Sequence, residues 1–219
     1  MFTTILYYMG WVIIMAASKV LIRKNVVAYA SVPKGPKILV ANHPTVSDPF
    51  ILLTTIRDRI SVLIWGPMFT VPLFGRYLKI SGHTPIVTGE GYKGFKTALQ
   101  HLKNGTSVLI FIEGGVSPDT GGYGNPRTGA VRLACYSGAP IVPIGVGVHN
   151  KNIHHVGFPI KGKKVREKWY LHGKYAITIG KYFHVTGDPN NRSKVREETQ
   201  NVMEQVVQLA HESASRIYA

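Results

Sequence analysis

Four short, almost wholly apolar runs constrain this chain more than anything else in it. They are Lys37–Ala41 (KILVA), Ser61–Trp65 (SVLIW), Ser107–Ile112 (SVLIFI) and Pro140–Val148 (PIVPIGVGV). Runs of this length bounded by turn-forming residues read as buried strands. Pro143 would place the last of them near a sheet edge or a bulge. Between the runs lie helix-like segments. Asp48-Pro49 is expected to open a helix with Asp as N-cap and Pro in the first turn. Tyr92 to Lys103 places Phe95, Ala98, Leu99 and Leu102 on one face before Asn104-Gly105 ends it. Thr128 to Ser137 reads as a helix closed by Gly138, Lys174 to Ile179 as a late strand, and Ser193 to Ile217 as an amphipathic helix. The alternation predicts an α/β domain, a layered sheet with flanking helices. Neither an internal repeat nor a low-complexity tract interrupts it.

The first 24 residues read differently. Phe2 to Ser18 carry no charged side chain, and Lys19-Val-Leu-Ile continues the run to Arg23 and Lys24. Seventeen helical residues span about 26 Å, close to a hydrocarbon core of about 30 Å. Basic residues follow the run and none precedes it, unlike a cleaved signal peptide. The expectation is a membrane helix over residues 1–24, spanning or embedded, followed by one domain over 25–219. The positive-inside rule would put that domain on the cytoplasmic face.

Charge points the same way. The chain holds 26 Lys+Arg against 11 Asp+Glu, a formal net charge of +15, which calls for an anionic partner or surface. From Lys151 to Lys181 there are eight basic residues and one acid, Glu167. This stretch could meet anionic headgroups or the phosphates of coenzyme A or an acidic carrier protein. Trp169-Tyr170 within it suits either a headgroup position or the core. No base-reading basic helix or nucleic-acid motif is present, so nucleic acid is not expected as a partner. Cys135, the sole cysteine, excludes an internal disulfide and sits among core-type residues. His149, His154 and His155 lack a recognisable ligand spacing, so no metal site is expected.

Two segments carry chemistry. In Ala41-Asn-His-Pro-Thr-Val-Ser-Asp-Pro49, a histidine leaves a strand and an aspartate starts a helix after a short turn. Such a turn can return the Asp48 carboxylate to one imidazole nitrogen of His43 and leave the other outward as a general base. In Phe111-Ile-Glu-Gly-Gly-Val-Ser117, Glu113 is followed by Gly114 and Gly115, which allow close backbone approach and offer N–H donors.

Together these segments resemble the glycerolipid acyltransferases, typified by lysophosphatidate acyltransferase. Asn42-His43 with Asp48 is similar to the His-x4-Asp block of that family. Pro72-Leu-Phe-Gly75 with Gly82 is similar to its second block. Phe111 to Ser117 is similar to the third, usually Phe-Pro-Glu-Gly-Thr-Arg-Ser. Arg127 to Ala134 followed by Ala139-Pro-Ile-Val-Pro143 is similar to the approach to the fourth. The likeness runs from about residue 40 to 145. It implies acyl transfer from a thioester, either acyl-CoA or an acyl carrier protein, to a hydroxyl of a lysophospholipid or related lipid acceptor, with no cofactor or metal. It implies His43 as base and Asp48 as its orienting partner. Substrate-side roles would fall to Asn42, Gly75, Glu113, Gly114, Gly115, Ser117 and Arg127. Two departures stand out. Thr88 occupies the place of the second block's arginine, and Gly115-Val116 replaces the third block's Thr-Arg. In the family those arginines are associated with the acceptor's phosphate, and Arg76, Lys79, Arg127 or Arg132 would have to substitute. A phospholipid-dependent transacylase and an inactive lipid-binding homologue are the alternative readings.

Overall fold

A computed structural model describes residues 2–56, 58–160 and 163–218. Helix α1 (Phe2–Leu21) leads into strand β1 (Ile22–Ala28). There follow β2 (Ile38–Ala41), α2 (Asp48–Leu53), β3 (Ile60–Trp65), α3 (Phe74–Ile80), β4 (Thr84–Ile86), α4 (Gly91–Lys103) and β5 (Ser107–Phe111). The chain continues through α5 (Gly129–Ser137), β6 (Ile141–Val148), β7 (Ile153–Ile160), β8 (Lys163–Tyr170), β9 (Gly173–Ile179) and α6 (Arg192–Tyr218). Seven strands form one sheet in the order β1-β9-β6-β2-β5-β3-β4, and β7 and β8 form a separate antiparallel pair. Within the large sheet only the β6–β9 pairing is antiparallel, so the sheet is mixed.

The apolar runs become strands because the sheet is covered on both faces. Leu39 and Ala41 of β2 enter one apolar cluster with Ile51, Leu52 and Tyr175. Their neighbours Ile38 and Val40 enter the other, with Ala98, Leu133 and Val206 from α4, α5 and α6. A strand buried on both sides needs no polar alternation. β6 is central rather than marginal, contrary to the edge expected from Pro143. The proline is accommodated because β9 pairing starts only at Ile144↔Ile179, and past that point Gly180 donates to the Pro143 carbonyl. Gly145 and Gly147 on the same strand admit α6 at backbone distance. A Cβ on Gly145 would lie 2.0 Å from the Leu209 carbonyl carbon.

The N-terminal segment departs from expectation. Among the described residues no helix is long and apolar enough to cross a membrane, so the predicted span is corrected and the positive-inside argument falls with it. The inner face of α1 is committed to the domain. Tyr7 is buried, accepts from the Ile60 N–H and donates to the Asp58 carbonyl, while Trp11 donates to the Leu53 carbonyl. Ile22, Arg23 and Lys24, expected to close the anchor, instead open β1 alongside β9.

Candidate active site

β2 and β5 run parallel with Ala41 beside Phe111, so the two chemistry-bearing segments leave the sheet side by side at its carboxyl edge, where open α/β sheets bind ligands. His43 follows β2, and its ring stacks on the Phe111 ring with centroids 3.8 Å apart. His43 Nδ1 lies 2.9 Å from Asp48 Oδ2. The imidazole is 12% exposed and the carboxylate 0%. With Nδ1 held by the carboxylate, Nε2 is the nitrogen left for a substrate.

Asp48 is not the N-cap expected from the sequence: Ser47 holds that place without a side-chain cap bond, and Asp48 opens the first turn with its carboxylate turned to the site. Thr45 donates its backbone N–H to Oδ2 at 2.8 Å and its hydroxyl to Oδ1 at 2.7 Å. Tyr175, on β9, donates its hydroxyl to Oδ1 at 2.8 Å. Full burial, then the neighbouring Asp48 charge, push the Tyr175 hydroxyl well above the usual phenol range, so it stays protonated as a donor. The carboxylate thus has four partners, which is what a fully buried charge needs.

Glu113 braces the backbone around His43. Its Oε1 accepts from the His43 N–H at 2.9 Å and the Ser117 hydroxyl at 2.8 Å, and its Oε2 accepts from the Gly124 N–H at 2.6 Å. Ser117 in turn donates its N–H to the His43 carbonyl. Asn42 is spent in the same way, with its amide bonded to both the N–H and the carbonyl of Val146 on β6. Gly75 lies against the Phe69 carbonyl, where a Cβ would come within 2.2 Å, and it does not line the cavity described next.

A cavity of about 560 Å³ opens beside His43, within the usual size of a small-molecule site. His43, Gly114, Gly115, Val116 and Arg127 line it, and Leu63, Ile64, Met68, Phe74, Ile86, Phe95, Ile110 and Leu133 give it an apolar wall. Gly114 adopts φ +75°, and a Cβ there would meet the Arg127 side chain at 2.9 Å. Its N–H is taken by the Phe111 carbonyl. Thr88 and Val116 both face the cavity. Of the four basic residues considered as substitutes for the missing arginines, only Arg127 lines it; Arg132 instead binds the Pro189 carbonyl.

The β7–β8 hairpin, unforeseen in the basic stretch, closes the site. The Val46 N–H donates to the Lys168 carbonyl, the Tyr170 N–H to Ser47 Oγ, and Lys168 Nζ to the Ser117 carbonyl. Tyr170 is core, while Trp169 and Glu167 line the cavity. Tyr175 and Glu167 are the two site residues that sequence reasoning missed. Neither lies in a recognisable motif, and only the register of late strands brings them to His43.

Residues 22–147 match the family model described as Acyltransferase. A chloroplastic 1-acyl-sn-glycerol-3-phosphate acyltransferase from Brassica napus, BAT2, is 30% identical over 112 residues, 50% of this chain and 32% of that protein. LPAT1 from Arabidopsis thaliana, of the same description, is 30% identical over 112 residues, covering 31% of its length. The chain therefore spans about a third of the curated relatives it matches. The crystal structure of the 1-acyl-sn-glycerophosphate acyltransferase PlsC from Thermotoga maritima superimposes with a TM-score of 0.66 at 20% identity, covering 96% of this chain and 78% of that one. That likeness is one of fold. With the family model matching more than half of its residues, the chain belongs to the acyltransferase family.

Proposed function

We propose that the protein is a membrane-associated O-acyltransferase, moving a fatty acyl group from a thioester, acyl-CoA or acyl carrier protein, to the hydroxyl of a lysolipid. The observation that carries this reading is the His43–Asp48 pair, held through Nδ1 at the wall of an apolar cavity. His43 Nε2 takes the acceptor's hydroxyl proton as the oxygen attacks the thioester carbonyl. Asp48 fixes the ring and balances the imidazolium that forms. The tetrahedral intermediate then expels the thiolate, which His43 protonates. Gly115 lines the cavity, and its N–H is the backbone donor assigned on this reading to the oxyanion. The apolar wall suits the acyl chain. Glu113 and Asn42 position backbone rather than touch substrate, and Arg127 at the rim meets an anionic group of donor or acceptor.

Membrane association is supported by α1. Its inner face docks on the domain, yet its outer face presents Tyr8, Met9, Val12, Ile13 and Val20, all exposed. A helix apolar on both sides, with one side packed on protein, is suited to lie in the interface plane. The basic hairpin adds attraction to anionic headgroups. The test is acyl transfer by the full chain on lipid vesicles, with label carried either in an acyl thioester or in a phospholipid. Label moving from the thioester to a lysolipid is the expected result. Label moving only from the phospholipid, or not at all, contradicts the reading.

A further inference from the structure

Among the described residues, the cavity beside His43 has three ionisable side chains on its wall: His43, Arg127 and Glu167. Glu167 is the one acid in a stretch otherwise rich in lysine and arginine. Its place is fixed by the hairpin, because the flanking Lys168 and Tyr170 backbones are bonded to the Val46–Ser47 turn beside His43. Lys168 turns to the Ser117 carbonyl and to Asp119, while Glu167 and Trp169 face the cavity. Among the described residues, burial and through-space charges act on the Glu167 carboxylate, with no hydrogen bond to it. It is half-buried. Burial pushes its carboxyl up, and the charges of His43 and Lys168 oppose that shift while Asp119 adds to it. A partly desolvated carboxylate without a donor is costly unless a ligand supplies one.

Charge decides what that ligand is. A phosphomonoester carries about −1.5 to −2 at neutral pH. Against it the cavity wall offers one Arg127 cation and one Glu167 anion, with neutral Thr88 and Val116 completing the set. That wall offers a phosphate no excess of cations beyond His43, while the Glu167 carboxylate, half-buried and without a donor, is the group that a ligand cation would satisfy. We propose that the preferred acceptor carries an ammonium group close to the hydroxyl that is acylated, and that Glu167 selects it. The inference rests on the acyl-transfer reading above.

The test uses three acceptors with one acyl chain and one three-carbon backbone: 1-acylglycerol, its 3-ammonio analogue and its 3-phosphate. Wild type is expected to give the highest kcat/KM with the ammonium acceptor and the lowest with the phosphate. Glu167→Gln should lower kcat/KM for the ammonium acceptor about 10- to 100-fold, the usual worth of a hydrogen bond to a charged partner. The loss should be larger for the ammonium acceptor than for the neutral one, so that the ratio of their kcat/KM values falls. Glu167→Lys should move preference toward the phosphate. Equal losses for all three acceptors with Glu167→Gln would assign Glu167 to His43 instead and overturn the inference, as would a wild-type preference for the phosphate or no change in the ammonium rate. Those results leave acyl transfer standing. Loss of transfer to every acceptor, with His43→Ala no different from wild type, overturns the acyl-transfer reading and this one with it.

Discussion

Asp48 accepts one hydrogen bond from His43, two from Thr45 and one from Tyr175, so the pair read from the His-x4-Asp spacing is the visible part of a larger buried network. The Tyr175 bond is the informative one, because it reaches the carboxylate from β9, 127 residues away in sequence. Removing a donor from a buried carboxylate costs about 1.5–3 kcal/mol. Tyr175→Phe should therefore lower thermal stability and, as a positioning change, cut kcat about tenfold with KM within twofold of wild type. Steady-state kinetics alongside a melting curve checks this. A full rate with a lowered melting temperature would reduce Tyr175 to a packing residue. At this scale the legible residues were those that stand in short local motifs, whether their partners are near, as for His43 and Asp48, or 70 residues away, as for Glu113 and His43. His43, Asp48 and Glu113 sit at fixed spacing in turns, and a turn's geometry is local. Tyr175 and Glu167 reach the site only through sheet register and hairpin docking, which no local pattern encodes.

At the scale of elements, the central strands were legible because burial on both faces leaves only apolar residues to choose from, as in β2 and β5. β1, β7 and β8 were not. β1 reads IRKNVVA at the sheet margin, and β8 reads KKVREKWY in a two-stranded ribbon, so solvent accepts their charges and the apolar signal is lost. α1 was legible as a helix and misread as a span, because hydropathy alone does not distinguish a face turned to lipid from one turned to protein. Its outer face now carries the membrane proposal. Replacing Val12 and Ile13 with serine removes two exposed apolar side chains that touch no core cluster. The double variant should keep its far-ultraviolet circular dichroism and lose roughly tenfold in partition onto anionic vesicles, from the lost apolar burial. Unchanged flotation with the vesicles would contradict an interfacial role for α1.

At the scale of the whole molecule, the site is assembled from two stretches of chain. Residues matched by the family model supply β2, β5 and the loops that bear His43 and Glu113. The stretch beyond it supplies β8, which walls the cavity with Glu167 and Trp169, β9 with Tyr175, and α6, which covers the far side of β6. The chemistry proposed for the first stretch is thus set within surroundings given by the second, and the neutral Thr88 and Val116 line the same cavity as Glu167. On the proposed reading, the net charge of +15 adds attraction to a negative membrane surface, while the charged side chains of the cavity wall include both signs.

The most direct test of the central claim is the turnover of His43→Ala against wild type, with a labelled acyl thioester and the best acceptor of the series above. A positioned general base is worth about 10²- to 10⁴-fold, and the variant should lose turnover by that factor while keeping its fold. A folded His43→Ala protein with more than about a third of the wild-type rate, far outside that range, would contradict His43 as the base.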